Sequence, residues 1–430
     1  MTQSDTKVLM DLRTKLFLDW DILPEKAGAF FQDMERNPHK IPTYKKLLTE
    51  HLDATILTGE GRSAGEILQA AVQRIHDWEE KVGPASIHEI VAMSKQWNIS
   101  IDKLVTRKMT PELIKAMLDV FIIGQEEYKV QLSLAFYTYL MKKTRHGALP
   151  KSNLLVCGPS GSGKTYGMQV LCGLFHVPFT VVHCNNLVQE GIVGATLTDA
   201  FTALLDKWTT DDIKNAVICF DEFDKLFEKG QGEIGGGAYN VRVVNEMLNI
   251  IDDKGEVEFK KSFRSDSDRI SLPTNKMMFV FTGVFDGLRK KGEKTSPIGF
   301  NAVVPEKEEK IELTADDFIR FGIKPEIMGR IQNFVVIDAL SEDELFQLFD
   351  MGMSSPFAEF ERYFAYNDIQ AILTDEGKRT LAKLAKERGL GVRGLKSLLH
   401  QALMEDMYDL EVGEDNILRI TRQYIFDNLK

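Results

Sequence analysis

Residues 158–165 read Gly-Pro-Ser-Gly-Ser-Gly-Lys-Thr, a glycine-spaced loop that ends in a cation and a hydroxyl. Gly158, Gly161 and Gly163 let the backbone wrap a phosphate chain with its N–H groups turned inward, with Pro159, Ser160 and Ser162 between them. Lys164 then reaches the β- and γ-phosphates of a nucleoside triphosphate such as ATP, and the Thr165 hydroxyl is suited to ligate Mg²⁺. A helix starting at the loop adds a favourable field for anions.

The partner of such a loop is a buried strand that ends in carboxylates. Ala216-Val217-Ile218-Cys219-Phe220-Asp221-Glu222 fits: Asp221 would hold Mg²⁺ through its water shell, and Glu222 would polarise the attacking water as general base. Thr282, closing another apolar run, is suited to orient that water. Arg330 lies just before the last strand candidate and suits an arginine finger that reaches a neighbouring subunit's γ-phosphate. Arg393, in Gly391-Val392-Arg393-Gly394, opens a helix and is placed to read the nucleotide from a second side.

These side chains need a scaffold, and the hydropathy pattern supplies one. Short apolar runs at Leu154–Cys157, Phe179–His183, Val217–Phe220, Met277–Phe281 and Phe334–Ile337 read as strands, with helical patterns between several of them. That alternation predicts a largely parallel sheet covered on both faces. A helix is expected from Thr165 to Phe175. Residues 1–105 read as helical, with Ile67, Leu68, Ala71, Val72 and Ile75 at helical spacing. The chain returns to helices from about Ser341, with one more strand candidate at Ile417–Ile420. The glycine-rich segment 228–240 and the charged segment 286–310 read as long loops.

The 430 residues carry a formal net charge of −11, which argues against broad binding to nucleic acid or anionic membrane. No apolar run reaches the ~18 residues of a membrane span, and the first residues lack a secretory signal pattern. The expectation is a cytoplasmic protein. The four cysteines, Cys157, Cys172, Cys184 and Cys219, form no Cys-x-x-Cys pair, so they are expected to be buried thiols and no zinc is expected. No Gly-x-Ser-x-Gly or His-Glu-x-x-His motif points to a protease site.

Together these motifs resemble the ClpX family of AAA+ ATPases, from about Thr110 to the C-terminus. Asp221-Glu222-Phe223-Asp224-Lys225-Leu226 resembles the family's extended Walker B, Pro325 to Arg330 its arginine-finger box, and Gly391 to Leu395 its sensor-2 motif. Thr110 to Ile114 followed by Ile122-Ile123-Gly124-Gln125 looks like its adenine-binding segment. The resemblance implies an α/β P-loop large domain (106–338) with a parallel five-stranded sheet flanked by helices. A mainly helical small domain (339–430) would follow it, and a helical N-terminal domain (1–105) would precede it.

By function it implies a homo-hexameric, ATP- and Mg²⁺-dependent unfoldase that threads protein substrates into a ClpP-type peptidase. Ile298-Gly299-Phe300 sits where the family carries its peptidase-docking tripeptide, as an aliphatic and aromatic anchor pair. Gly191-Ile192-Val193-Gly194 sits where the family's pore loop carries an aromatic; Ile192 offers less area and no ring stacking. The family's N-terminal zinc domain has no counterpart in the cysteine-free first 105 residues, so adaptor and substrate choice do not carry over. Two readings stand beside the unfoldase: a protease-independent remodeller of particular complexes, and a nucleotide-dependent switch that scarcely hydrolyses ATP.

Overall fold

The computed structural model describes residues 86–98, 100–105, 108–144, 151–187, 196–227, 236–262, 265–289, 313–331, 333–351, 355–410 and 416–429. The expectations for residues 1–85, for Ile192 and Val193, and for Ile298, Gly299 and Phe300 lie outside them. Two compact units divide the chain: residues 1–120 with 171–176, and residues 121–170 with 177–430.

The described part of the first unit is helical. Helix α1 (Ile87–Trp97) starts at Ser86, whose hydroxyl accepts from the Glu89 N–H while Glu89 accepts from the Ser86 N–H. This reciprocal cap satisfies two otherwise orphaned donors. Helix α2 (Pro111–Asp119) has Thr110 as its cap and Pro at its first position, where no N–H is missed. It buries Leu113, Ile114, Met117 and Leu118, one stripe of a 3.6-residue period.

In the second unit, α3 (Glu126–Thr144) precedes strand β1 (Leu154–Cys157), and α4 (Tyr166–Leu174), whose residues from Leu171 on are assigned to the first unit, follows the glycine loop. Then come β2 (Phe179–His183), β3 (Val217–Asp221), α5 (Gly236–Ile251), β4 (Glu256–Ser262), β5 (Ser265–Pro273), β6 (Met278–Gly283) and β7 (Asn333–Val336). Five of the strands form one sheet in the order β2-β3-β6-β1-β7, all neighbours parallel. The inner strands are unbroken apolar runs because both faces are covered: every residue of β1 and β6 is buried. Phe220 stacks on Phe279 and Phe281, ring centroids 6.1 and 5.3 Å apart. The parallel sheet agrees with the expectation; the antiparallel hairpin β4–β5 was not foreseen.

Past the sheet a second hydrophobic cluster forms around Leu345, Phe364, Leu381, Leu399 and Ile420. Helix α6 (Val392–Asp409) contributes Leu395, Leu398, Leu399 and Leu403 to it. A two-stranded parallel ladder joins β8 (Gln370–Leu373) to β9 (Ile417–Ile420). Among the described residues no helix is long and apolar enough to cross a membrane.

Candidate functional site

A cavity of about 580 Å³ opens at the carboxyl ends of the parallel strands, the edge where open α/β sheets bind ligands. Its floor is the loop after β1. Gly161 and Gly163 take φ of +73° and +87°, a region that an L side chain enters only at a cost, so glycine here is a backbone requirement. Gly158 lies under backbone: a Cβ there would come within 2.8 Å of the Ile337 carbonyl oxygen. The Tyr128 hydroxyl donates to the Lys164 carbonyl at 2.8 Å and ties the loop to α3.

The Lys164 ammonium donates to the carbonyls of Gly158 and Pro159, at 2.9 and 2.8 Å. Burial lowers its affinity for its proton and the Asp221 carboxylate opposes that. Ser162 closes the turn by donating to the Pro159 carbonyl. Ser160, Thr165 and Arg393 line the same cavity, as do Ile122 and Ile123. Ile123 also packs against the C-terminal cluster, whose Leu340 and Leu348 line the cavity too.

Asp221 stands at the end of β3. Its Oδ1 accepts from the Glu222 N–H at 3.1 Å and from the Thr282 hydroxyl at 2.5 Å. Thr282 is fully buried on β6. The hydroxyl expected to orient water donates to Asp221 instead. The register explains this: Phe220 pairs with Phe281, so the next residue of each strand is level. Glu222 leaves the strand with φ +56° and ψ +38°, left-handed backbone that costs a non-glycine residue roughly 1–2 kcal/mol. Such strain is held where a side chain must be aimed. Beneath them, burial and then Asp221 push the Cys219 thiol up to about 12, so it stays protonated. All four cysteines are buried.

Asp221 and Thr165 both line the cavity with hard oxygen donors, and one carboxylate plus a hydroxyl is the sparse donor set that suits Mg²⁺ with retained waters. The residues fit that ion; when bound, it would offset the charge of the phosphates.

Helix α6 closes the site. Its first N–H, from Val392, donates to the Gly161 carbonyl at 3.2 Å, and a Cβ on Gly391 would lie 2.5 Å from that oxygen. Arg393 follows directly, which brings it to the cavity. Arg330 is not part of it: its guanidinium pairs with Asp252 in its own chain. Lining residues that sequence reading did not pick out include His183, Tyr166 and Gln169. His183 carried a signal only in its place at the end of a strand, which means nothing until β2 is known to neighbour β3.

The AAA domain (Cdc48 subfamily) profile matches residues 149–334, which hold the whole five-stranded sheet apart from the last residues of β7. The ATP-dependent Clp protease ATP-binding subunit ClpX of Treponema denticola is 28% identical over 320 residues, 70% of this chain and 77% of that protein. ClpX 2 of Wolinella succinogenes is 28% identical over 333 residues, covering 74% and 82%. ClpX 3 of Methylococcus capsulatus is 25% identical over 396 residues, covering 84% and 87%.

Proposed function

We propose that this chain, which is similar to ClpX proteins over most of its length and matches an AAA domain profile, is the ATP-driven motor of a homo-hexameric, cytoplasmic protein unfoldase. In this reading its output goes to a ClpP-type peptidase. The observation that carries it is the hydrolytic site itself: Lys164, Thr165, Asp221, Glu222 and Arg393 meet in one cavity, with α6 seated on the phosphate loop. A site closed by the C-terminal helix changes shape when the nucleotide does, and that is how hydrolysis becomes motion.

Glu222 takes a proton from the attacking water, Lys164 and Arg393 balance phosphate charge, and Asp221 with Thr165 holds the metal. Arg330 serves a neighbouring subunit's site. Ile192 and Val193 would touch the translocating chain, and Ile298-Gly299-Phe300 would dock on the peptidase. We keep 106–338 and 339–430 as large and small domains; the two separate hydrophobic clusters support that division. Residues 1–105 would receive an adaptor or substrate.

One sequence feature favours a second reading. With Ile192 in the place of the family's aromatic, grip on a polypeptide is weaker, which suits a remodeller that disassembles particular complexes without a peptidase.

The test is one comparison. The intact chain and Phe300→Ala are run with ATP and a ClpP-type tetradecamer on a sizing column, and degradation of a folded fluorescent protein is followed. Co-migration and degradation that Phe300→Ala abolishes support the unfoldase-peptidase reading. ATP turnover with no co-migration under any condition transfers support to the remodeller. Glu222→Gln should lower turnover by on the order of 10²–10⁴; unchanged phosphate release would refute Glu222 as the base.

A further inference from the structure

His183 is the last residue of β2 and pairs in register with Asp221 at the end of β3. Its Nδ1 lies 3.9 Å from Asp221 Oδ2. That separation is too long for a hydrogen bond and within ion-pair range only when the imidazole carries a proton. Both line the cavity that holds Thr165 and Glu222, and the imidazole is 56% exposed there. It is therefore open to a ligand arriving from the cavity.

We propose that His183 is a nitrogen donor to the divalent cation drawn to Asp221, and that this donor makes the site prefer Mn²⁺ over Mg²⁺. The proposal rests on the reading of this cavity as a nucleotide site. Distance decides whether one ion can serve both groups. Two bonds of about 2.1 Å span about 4.2 Å when the donors lie on opposite sides of the ion, so a 3.9 Å gap admits one cation bonded directly to both groups, in place of the water-mediated contact expected of Asp221 with Mg²⁺.

Chemistry decides which cation. Mg²⁺ takes oxygen and gives up water reluctantly. Imidazole suits first-row transition ions, and Mn²⁺ accepts nitrogen while still favouring carboxylate and phosphate oxygen. Among the described residues no three His, Cys, Asp or Glu side chains converge, so the shell is completed by the Thr165 hydroxyl, phosphate oxygens and water. The site should be filled tightly only when nucleotide is present.

The experiment uses the full chain with Mn²⁺ and ADP, read by electron spin-echo modulation, with histidine nitrogens labelled ¹⁵N in a parallel sample. Phosphorus coupling reports that the ion sits on the nucleotide, and histidine-nitrogen coupling reports His183. The expected result is both couplings in the intact chain and loss of the nitrogen coupling alone in His183→Ala. Competition binding should show the Mn²⁺-to-Mg²⁺ preference falling by about tenfold or more in His183→Ala and His183→Asp. Phosphorus coupling without nitrogen coupling in the intact chain overturns the proposal and leaves the nucleotide site standing. Absence of both couplings overturns the nucleotide reading and this proposal with it. Neither of these two outcomes depends on a variant folding, since both are read from the unsubstituted chain.

Discussion

Arg330 is held within its own chain by Asp252: its Nε and Nη2 both donate to Asp252 Oδ2, at 2.9 and 2.6 Å. Its Nη1 donates to the Glu326 carbonyl at 2.8 Å. The Asp252 carboxyl titrates below the usual carboxylate range, first because the Lys254 N–H donates to it and then because of Arg330. A lowered carboxyl stabilises the fold above its unfolded value near 4 and loses that contribution as pH falls through the folded value.

If Arg330 serves a neighbour's site, it must trade Asp252 for a phosphate. Arg330→Ala is then expected to lower ATP turnover by on the order of 10³ with ATP affinity unchanged, measured by phosphate release and equilibrium binding. Asp252→Asn, which releases the guanidinium, should raise turnover at a given subunit concentration. A fall as deep as that of Arg330→Ala would assign the pair to structure alone.

Thr282 donates to Asp221 from a fully buried position. Thr282→Val keeps the volume, removes that bond and lets the carboxylate rotate. Removing a hydrogen bond to a charged group costs about 1.5–3 kcal/mol, so metal affinity in the presence of nucleotide should drop roughly tenfold to a hundredfold. Thr282→Ser should retain most of it. Equal affinity in Thr282→Val and the parent chain would contradict this role.

Gly391 touches the phosphate loop through its backbone. In Gly391→Ala the new methyl would meet the Gly161 carbonyl oxygen at 2.5 Å, and neither backbone can yield without moving the loop or α6. ATP affinity should fall by about tenfold, worth about 1.4 kcal/mol, while the thermal midpoint without nucleotide changes little. Gly173→Ala is the control, since no atom lies within 4 Å of a Cβ there.

Lys151 is buried, and its ammonium donates to the carbonyls of Ile250 and Asp252 and to the Thr274 hydroxyl. Burial pushes it down to about 7, against the pull of Asp253 and Asp252. Between that value and the ordinary lysine value near 10.4, the unfolded chain binds more protons than the folded one. Stability therefore rises with pH across this window, by at most about 1.4 kcal/mol per unit. Urea midpoints at pH 7 and pH 9 should show the rise in the parent chain and lose it in Lys151→Met. An identical rise in the variant would place its source elsewhere.

The glycine loop, the acidic pair at the end of β3 and all five strands of the main sheet were legible in the sequence, because each rests on a local rule. Glycine spacing permits left-handed backbone at Gly161 and Gly163, and a strand covered on both faces must be apolar throughout. Strand β8 escaped notice because its Gln-Ala-Ile-Leu alternates exposed and buried positions over only four residues. The hairpin β4–β5 escaped because its strands are largely polar.

What only the tertiary structure decided is which distant residues share a neighbour. The strand order β2-β3-β6-β1-β7 sets His183 beside Asp221 and turns the Thr282 hydroxyl onto that carboxylate rather than toward water. Packing around the sheet brings Gly391 against Gly161 and Arg330 against Asp252. Periodicity along a chain reports which face of an element is buried; it carries no information about which other element covers it. The phosphate grip is therefore a property of eight consecutive residues, and the site around it is a property of the fold.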